Sequence, residues 1–206
     1  LKVWDAVMRE NIFVLCKTQM AKSITRRTLR GFRPVKVNTR YYEDLINQIS
    51  HKTAKFVSQM KQGKNYWKAN EDNDMKFTAI VGNPPYQITT DRTSDTPIYH
   101  LFMDVAFQIC DKVSFITPAR FLFNAGKTPA EWNNRVLNDP HFKVIWYKPK
   151  STDVFPNVDI KGGVAVTFRN AVEDFGSVGT FTAFDELNSI IRKVSARTIG
   201  TLNNII

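Results

Sequence analysis

Residues 77–86 read Phe77-Thr78-Ala79-Ile80-Val81-Gly82-Asn83-Pro84-Pro85-Tyr86, and this stretch decides the fold. Its first five residues are mostly apolar, which suits a strand buried on both faces, as in a parallel sheet. Gly82 breaks the strand, and the four residues after it form a loop at its carboxyl end. Consecutive prolines stiffen that loop, because each fixes φ at about −65° and removes an N–H donor. Pro85 also keeps Pro84 out of the helical region. The Asn83 side chain, the Pro84 carbonyl and the Tyr86 ring are therefore offered in a set geometry, just beyond a strand end where open α/β sheets bind ligands.

Those groups suit one chemical problem. The exocyclic amine of adenine is a poor nucleophile, since its lone pair is delocalised into the ring. An amide oxygen and a main-chain carbonyl aimed at its two hydrogens favour the pyramidal nitrogen that attacks a methyl sulfonium, which is preorganised electrostatic stabilisation of the transition state. An aromatic ring beside them is a stacking platform for the base. A bare Asn-Pro-Pro is also an ordinary turn leaving a strand; the strand before it and Tyr86 after it favour the chemical reading.

Working outward, the chain of 206 residues, 43% hydrophobic, is long enough for one α/β domain with a full core. No apolar run approaches the roughly 18 residues of a membrane span. The chain opens Leu1-Lys2-Val3-Trp4-Asp5, with neither a start Met nor a signal peptide, and we expect it to be a piece of a longer polypeptide. Two ordinary cysteines, Cys16 and Cys110, fit the reducing cytoplasm. His51, His100 and His141 stand far apart without Cys or carboxylate neighbours, so no metal is expected. The net charge of +10 is concentrated in residues 1–68, which hold fifteen Lys/Arg against four Asp/Glu. Such a block suits a nucleic-acid partner; a solvated basic face, or a surface for an acidic domain, would look the same.

Asn11 to Cys16 reads as a short buried strand, and Met20 to Leu29 as a helix whose Lys22, Arg26 and Arg27, with Arg30, form a basic face ended by Gly31. Tyr41 to Met60 reads as one long amphipathic helix with Leu45, Ile46, Ile49 and Phe56 inward. Beyond Tyr86, a polar segment to Asp95 has the length of a functional loop, and Thr96-Pro97 starts a helix. Ile98, Leu101, Phe102, Val105, Ala106 and Ile109 give that helix its apolar stripe. A strand Lys112–Thr117 completes a βαβ unit. A helix over 129–137, a strand Phe142–Tyr147, a loop with Asp153-Val154-Phe155-Pro156, and a strand Val164–Phe168 close the core as a hairpin-like pair.

The ordered segments "FTAIVGNPPYQ" (77–87), "TPIYHLFMDVAFQICDKVSFITPARF" (96–121) and "DVFPNVDIKGGVAVTF" (153–168) resemble the adenine-specific DNA methyltransferases of type II restriction-modification systems. The first segment is shared with release-factor glutamine and guanine-N2 RNA methyltransferases, whereas the ordered set is more specific. The resemblance implies a partial Rossmann-like methyltransferase fold, α/β with a mostly parallel sheet. It implies S-adenosyl-L-methionine as cofactor, and double-stranded DNA with a flipped adenine as partner, since the paired amine is otherwise out of reach. It makes Asn83, Pro84, Pro85 and Tyr86 catalytic, with Tyr86 and Phe155 stacking on the base. Phe102 falls where the family packs the cofactor's adenine, and Asn70 where the family commonly has an acidic residue near it. Phe155 and Phe102 are equally readable as core residues, and Arg120 as a phosphate contact or an ion-pair partner.

The family's glycine-rich cofactor loop has no counterpart before Gly82, where Gly31 and Gly63 lie in the wrong setting. Gly176 and Gly179 are spaced like a turn. We therefore expect a basic, mainly helical part over 1–76, a catalytic core over 77–170, and an extension over 171–206 leading toward a target-recognition domain. The alternatives are an RNA or protein-glutamine methyltransferase, or a DNA-binding remnant without transfer activity.

Overall fold

The computed structural model describes residues 2–67, 75–88, 95–195 and 197. The chain divides into two compact units, residues 1–78 with 104–110 and residues 79–103 with 111–206.

The first unit begins with α1 (Lys2–Glu10), β1 (Phe13–Cys16), α2 (Gln19–Arg30) and β2 (Asn38–Tyr41). β1 and β2 pair in parallel, Phe13 opposite Asn38 and Cys16 opposite Tyr41, so α2 is their crossover. Thr18 starts α2 by accepting the Ala21 N–H at 3.0 Å, the ordinary N-cap of a hydroxyl residue. Gly31 stops it at φ 58°, donating its N–H to the Arg27 carbonyl. The polar sequence of β2 conceals a strand, because buried Asn38 uses its amide to bind the Arg9 and Ile12 carbonyls. The long helix expected over 41–60 is two helices, α3 (Leu45–His51) and α4 (Thr53–Met60), broken at Lys52 (φ −130°, ψ 34°). Leu45, Ile49 and Phe56 face inward as expected, joined by Met60. A π-helical turn, Gly63–Trp67, then brings the Trp67 indole N–H to the Met60 carbonyl at 2.8 Å. Trp67, Phe13 and Phe77 pack edge to face.

The second unit holds β3 (Ile80–Gly82), the two-residue strands β4 (Gln87–Ile88) and β5 (Thr96–Pro97), α5 (Tyr99–Ile109, shared with the first unit), β6 (Lys112–Pro118), α6 (Ala130–Leu137), β7 (Phe142–Lys148), β8 (Val164–Asn170) and α7 (Asp185–Ser195). Its main sheet has the order β3-β6-β8-β7. β3 and β6 are parallel, while β8 runs antiparallel to both β6 and β7. The α/β class and the closing antiparallel pair are as the sequence indicates; the sheet is mixed, and among the described residues parallel pairing is confined to β3–β6 here and β1–β2 in the first unit. Thr96-Pro97 pairs with Ile88-Gln87 as a small hairpin rather than opening the helix. α5 buries Tyr99, Met103, Val105 and Ala106, flanked by buried Ile98 and Cys110, leaving Leu101, Phe102 and Ile109 at half burial. Its buried stripe is thus rotated toward Tyr99 and Met103, and Tyr99 joins Phe121, Trp132 and Phe142 in the aromatic core beneath the sheet.

The expectation of a strand buried on both faces at 77–81 is corrected. Only Ile80–Gly82 is strand, Ala79 and Val81 are exposed, and Val81 keeps 78% of its surface. β3 lies at the outer edge of its described sheet, so its apolar residues lack the second neighbour that a central strand has.

Candidate functional site

Strand lengths position the site. Gly82, the last residue of β3, stands opposite Phe115, whereas β6 runs on to Pro118 opposite Val164 of β8. At about 3.3 Å per residue, β6 extends roughly 10 Å beyond the end of β3. The Asn83 loop therefore starts alongside β6, at the edge where β3, β6 and β7 all end. A Cβ on Gly82 would come within 3.3 Å of the Phe115 ring, which would have to give by a few tenths of an ångström.

Within the loop, Asn83 is exposed, Pro84 buried, and Pro85 and Tyr86 half-buried. Among the described residues, no hydrogen bond engages the Asn83 side chain or the Pro84 carbonyl. The loop is anchored behind these groups. The Ile98 N–H binds the Tyr86 carbonyl at 3.0 Å, β4 pairs with β5, and the Gln87 amide donates to the Asp95 carboxylate. This arrangement leaves two acceptors free on a backbone that cannot relax around them. The Tyr86 ring faces partly inward, with its hydroxyl buried and without a partner among the described residues. Burial pushes that phenol up to about 12, so it stays protonated and neutral at any physiological pH.

The other residues indicated by the sequence distribute as follows. Phe155 is half-buried in the loop joining β7 to β8, on the same sheet edge as Asn83. Phe102 is half-buried on α5. Asn70 lies outside the described residues, as does most of the polar segment after Ile88. Arg120, at the end of β6, is exposed, and its stem packs beside Gly126 and Gly162. Gly176 and Gly179 occupy an irregular segment at φ 74° and 58°, with open space around them, consistent with a turn.

Sequence reasoning missed what holds the Phe155 loop. Buried Ser151 accepts the Ile160 N–H at 2.7 Å and donates to the Val158 carbonyl at 2.9 Å. Gly162 and Gly163 both have positive φ, and a Cβ on Gly163 would lie 2.1 Å from the Lys148 carbonyl. The consecutive glycines were a signal for such a close approach. Their purpose shows only with the neighbouring strand in place.

A methyl-donor sulfonium carries a positive charge. The glycine-rich loop of the family is missing from the sequence before Gly82, and a concavity of about 440 Å³ on α2 is lined by Arg26, Arg27 and Arg30, which would repel a cation.

A family model described as Eco57I restriction-modification methylase matches residues 10–155. A protein of Mycoplasma pneumoniae described as an uncharacterized adenine-specific methylase is 28% identical over 134 residues, covering 56% of this chain and 32% of that protein. The chain thus spans about a third of the length of the curated relative it matches. Among solved structures, the M protein of the type I restriction enzyme EcoKI aligns over 83% of this chain and 34% of its own, at 13% identity and TM-score 0.48. The 23S rRNA methyltransferase ErmE aligns over 97% of this chain and 79% of its own, at 17% identity and TM-score 0.36.

Proposed function

The chain belongs to the Eco57I restriction-modification methylase family, and from that premise we propose that the protein carrying it methylates N6 of adenine in double-stranded DNA as the modification activity of a type II restriction system. Asn83 Oδ1 and the Pro84 carbonyl accept the two hydrogens of the target amine. This draws its lone pair out of conjugation and directs it away from the loop. Pro84 and Pro85 hold the acceptors in place before the base arrives, so no reorganisation is needed as charge develops. Tyr86 and Phe155 stack on the extruded base, and the neutral Tyr86 phenol adds no charge beside it. S-adenosyl-L-methionine is the donor this reading implies, supplying an electrophilic methyl on sulfur. Phe102 and Asn70 are proposed on the side of its adenine, and further segments of a longer polypeptide would complete its pocket and read the DNA sequence.

The observation that carries this reading is the pair of unengaged acceptors on a proline-stiffened loop at the carboxyl end of β3, alongside β6. The test is methyl transfer from labelled S-adenosylmethionine to duplex DNA by the protein that carries this chain. Asn83→Ala should lower kcat by about 10²–10³, the cost of removing one preorganised hydrogen-bonding group. Transfer at the unaltered rate, or transfer to RNA or to a protein glutamine in place of DNA, would overturn the reading.

A further inference from the structure

α2 has no role in the site described above, yet its composition and exposure are unusual. Its twelve residues include four cations, Lys22, Arg26, Arg27 and Arg30, and no carboxylate. None of its residues is buried, and Met20 and Ile24 stay 74% and 57% exposed. Like charges four apart, as at Arg26 and Arg30, disfavour an isolated helix. Nearby Arg33 is neutralised by Asp5, whereas neither Arg26 nor Arg27 has a carboxylate partner among the described residues.

Three of these cations border a concavity of about 440 Å³, open to solvent and lined by Ser23, Arg26, Arg27, Arg30, Gly31 and Phe32. Two local features build it. Gly31 at φ 58° turns the chain out of the helix and leaves Phe32 standing free in solvent. The Arg30 Nε donates to the Arg33 carbonyl at 2.9 Å, fixing one wall. Arginine forks, a serine hydroxyl and an exposed aromatic ring match a phosphate attached to a sugar and base. A continuous strand can pass through an open concavity, where a small free ligand would be poorly enclosed. α2 also returns the chain from the carboxyl end of β1 to the amino end of β2. Its last turn is therefore at the amino ends of this parallel pair, away from the carboxyl ends where such folds bind cofactors.

We propose that this concavity grips the sugar-phosphate backbone of DNA, with Arg26 and Arg27 as phosphate ligands, Ser23 as an added donor and Phe32 as an apolar rest for the sugar or base. The inference rests on the DNA-modifying reading and deepens it: the grip supplies affinity without sequence information, as backbone contacts do.

The test is fluorescence anisotropy of labelled duplexes, of several sequences, titrated with the 206-residue chain across a salt series. Each phosphate neutralised contributes about 0.9 to the slope of log K against log salt. Arg26→Gln with Arg27→Gln should therefore flatten the slope by about 1.8, so that K falls roughly 60-fold less per tenfold rise in salt, equally for every duplex. Each single variant should remove about half. Arg26→Lys with Arg27→Lys should restore the slope, because counterion release depends on charge. Circular dichroism establishes that each variant keeps its helix content. A folded double Gln variant with the wild-type slope would overturn the proposal; so would arginine-dependent binding of poly-glutamate with no binding of duplex, which would assign the surface to an acidic polypeptide. An arginine-dependent slope in a protein that never methylates DNA would retain the grip and discard the methylation reading. Methylation with an unaltered slope in the Gln variant would do the reverse.

Discussion

Two loops rise from the same edge of the β3-β6-β8-β7 sheet and are made rigid by opposite means. The loop after β3 is stiff mainly through covalent geometry, since Pro84 and Pro85 remove two torsions and two donors; hydrogen bonds hold it only from Tyr86 onward, and the Asn83 amide and Pro84 carbonyl are left unspent. The loop between β7 and β8 is stiff through its own hydrogen bonds. Ser151 binds Ile160 and Val158, the Gly163 N–H reaches the Ile160 carbonyl, the Ala119 N–H binds the Gly163 carbonyl, and Lys148 pairs with Asp153 at 3.1 Å. Rigidity obtained from hydrogen bonds consumes the groups a ligand would need, whereas rigidity obtained from proline leaves them available. The first loop is thus equipped for chemistry and the second for support, with Phe155 as its contribution to the site.

The contrast breaks most visibly at Gly163. At φ 77°, an L side chain already costs about 1–2 kcal/mol, and its Cβ would overlap the Lys148 carbonyl and Pro149. Gly163→Ala should lower stability by about 4 kcal/mol or prevent folding, as read by chemical denaturation. A near-neutral result would mean the β7–β8 loop is not fixed as described. The next effect is the kcat loss of Asn83→Ala, with its complement: that variant should unfold within about 0.5 kcal/mol of the wild type, because its amide supports nothing in the fold. A large destabilisation at Asn83 would erase the distinction between the two loops. Ser151→Ala should have the inverse pattern. Leaving the Ile160 N–H and Val158 carbonyl without partners should cost about 2 kcal/mol, with kcat in the folded protein reduced far less than by Asn83→Ala. Equal loss of kcat would make the second loop part of the chemistry.

How much of this was legible depended on whether local sequence carried the cause. The helix 19–30, β6, α6, β7 and β8 follow from periodicity and from Gly or Pro stops, and the Asn83 loop from its own residues. The strand Asn38–Tyr41 was not legible, because the Arg9 and Ile12 carbonyls that take up the buried Asn38 amide lie more than twenty residues earlier. Nor was the exposure of Val81, since an apolar run reads alike at the centre and at the edge of a sheet. The basic face of α2 was visible as composition; the concavity needed the backbone turn at Gly31 that sets Phe32 outward. At the site, residue types announced the acceptors, while the place of the loop alongside β6 came from unequal strand lengths that no single segment encodes.

Tyr86 gives the smallest and most discriminating effect, because it belongs to the first loop yet hides a polar atom. Its hydroxyl is buried without a partner among the described residues, so removing that oxygen forfeits no hydrogen bond and relieves a desolvated dipole. Tyr86→Phe should leave stability unchanged or raise it by up to about 1 kcal/mol, whereas Tyr86→Ala should weaken base stacking by about 1–3 kcal/mol. The sign with pH follows from the raised phenol. The folded group titrates at about 12, against about 10 in the unfolded chain. The unfolded state therefore releases its proton first, and stability contributed below pH 10 is lost as the pH rises from about 10 through about 12. The Phe variant should lack this component of the alkaline fall in denaturation midpoint. If Tyr86→Phe were instead destabilising by more than 1 kcal/mol, the hydroxyl would be a bonded support like Ser151, and the first loop would share the construction of the second.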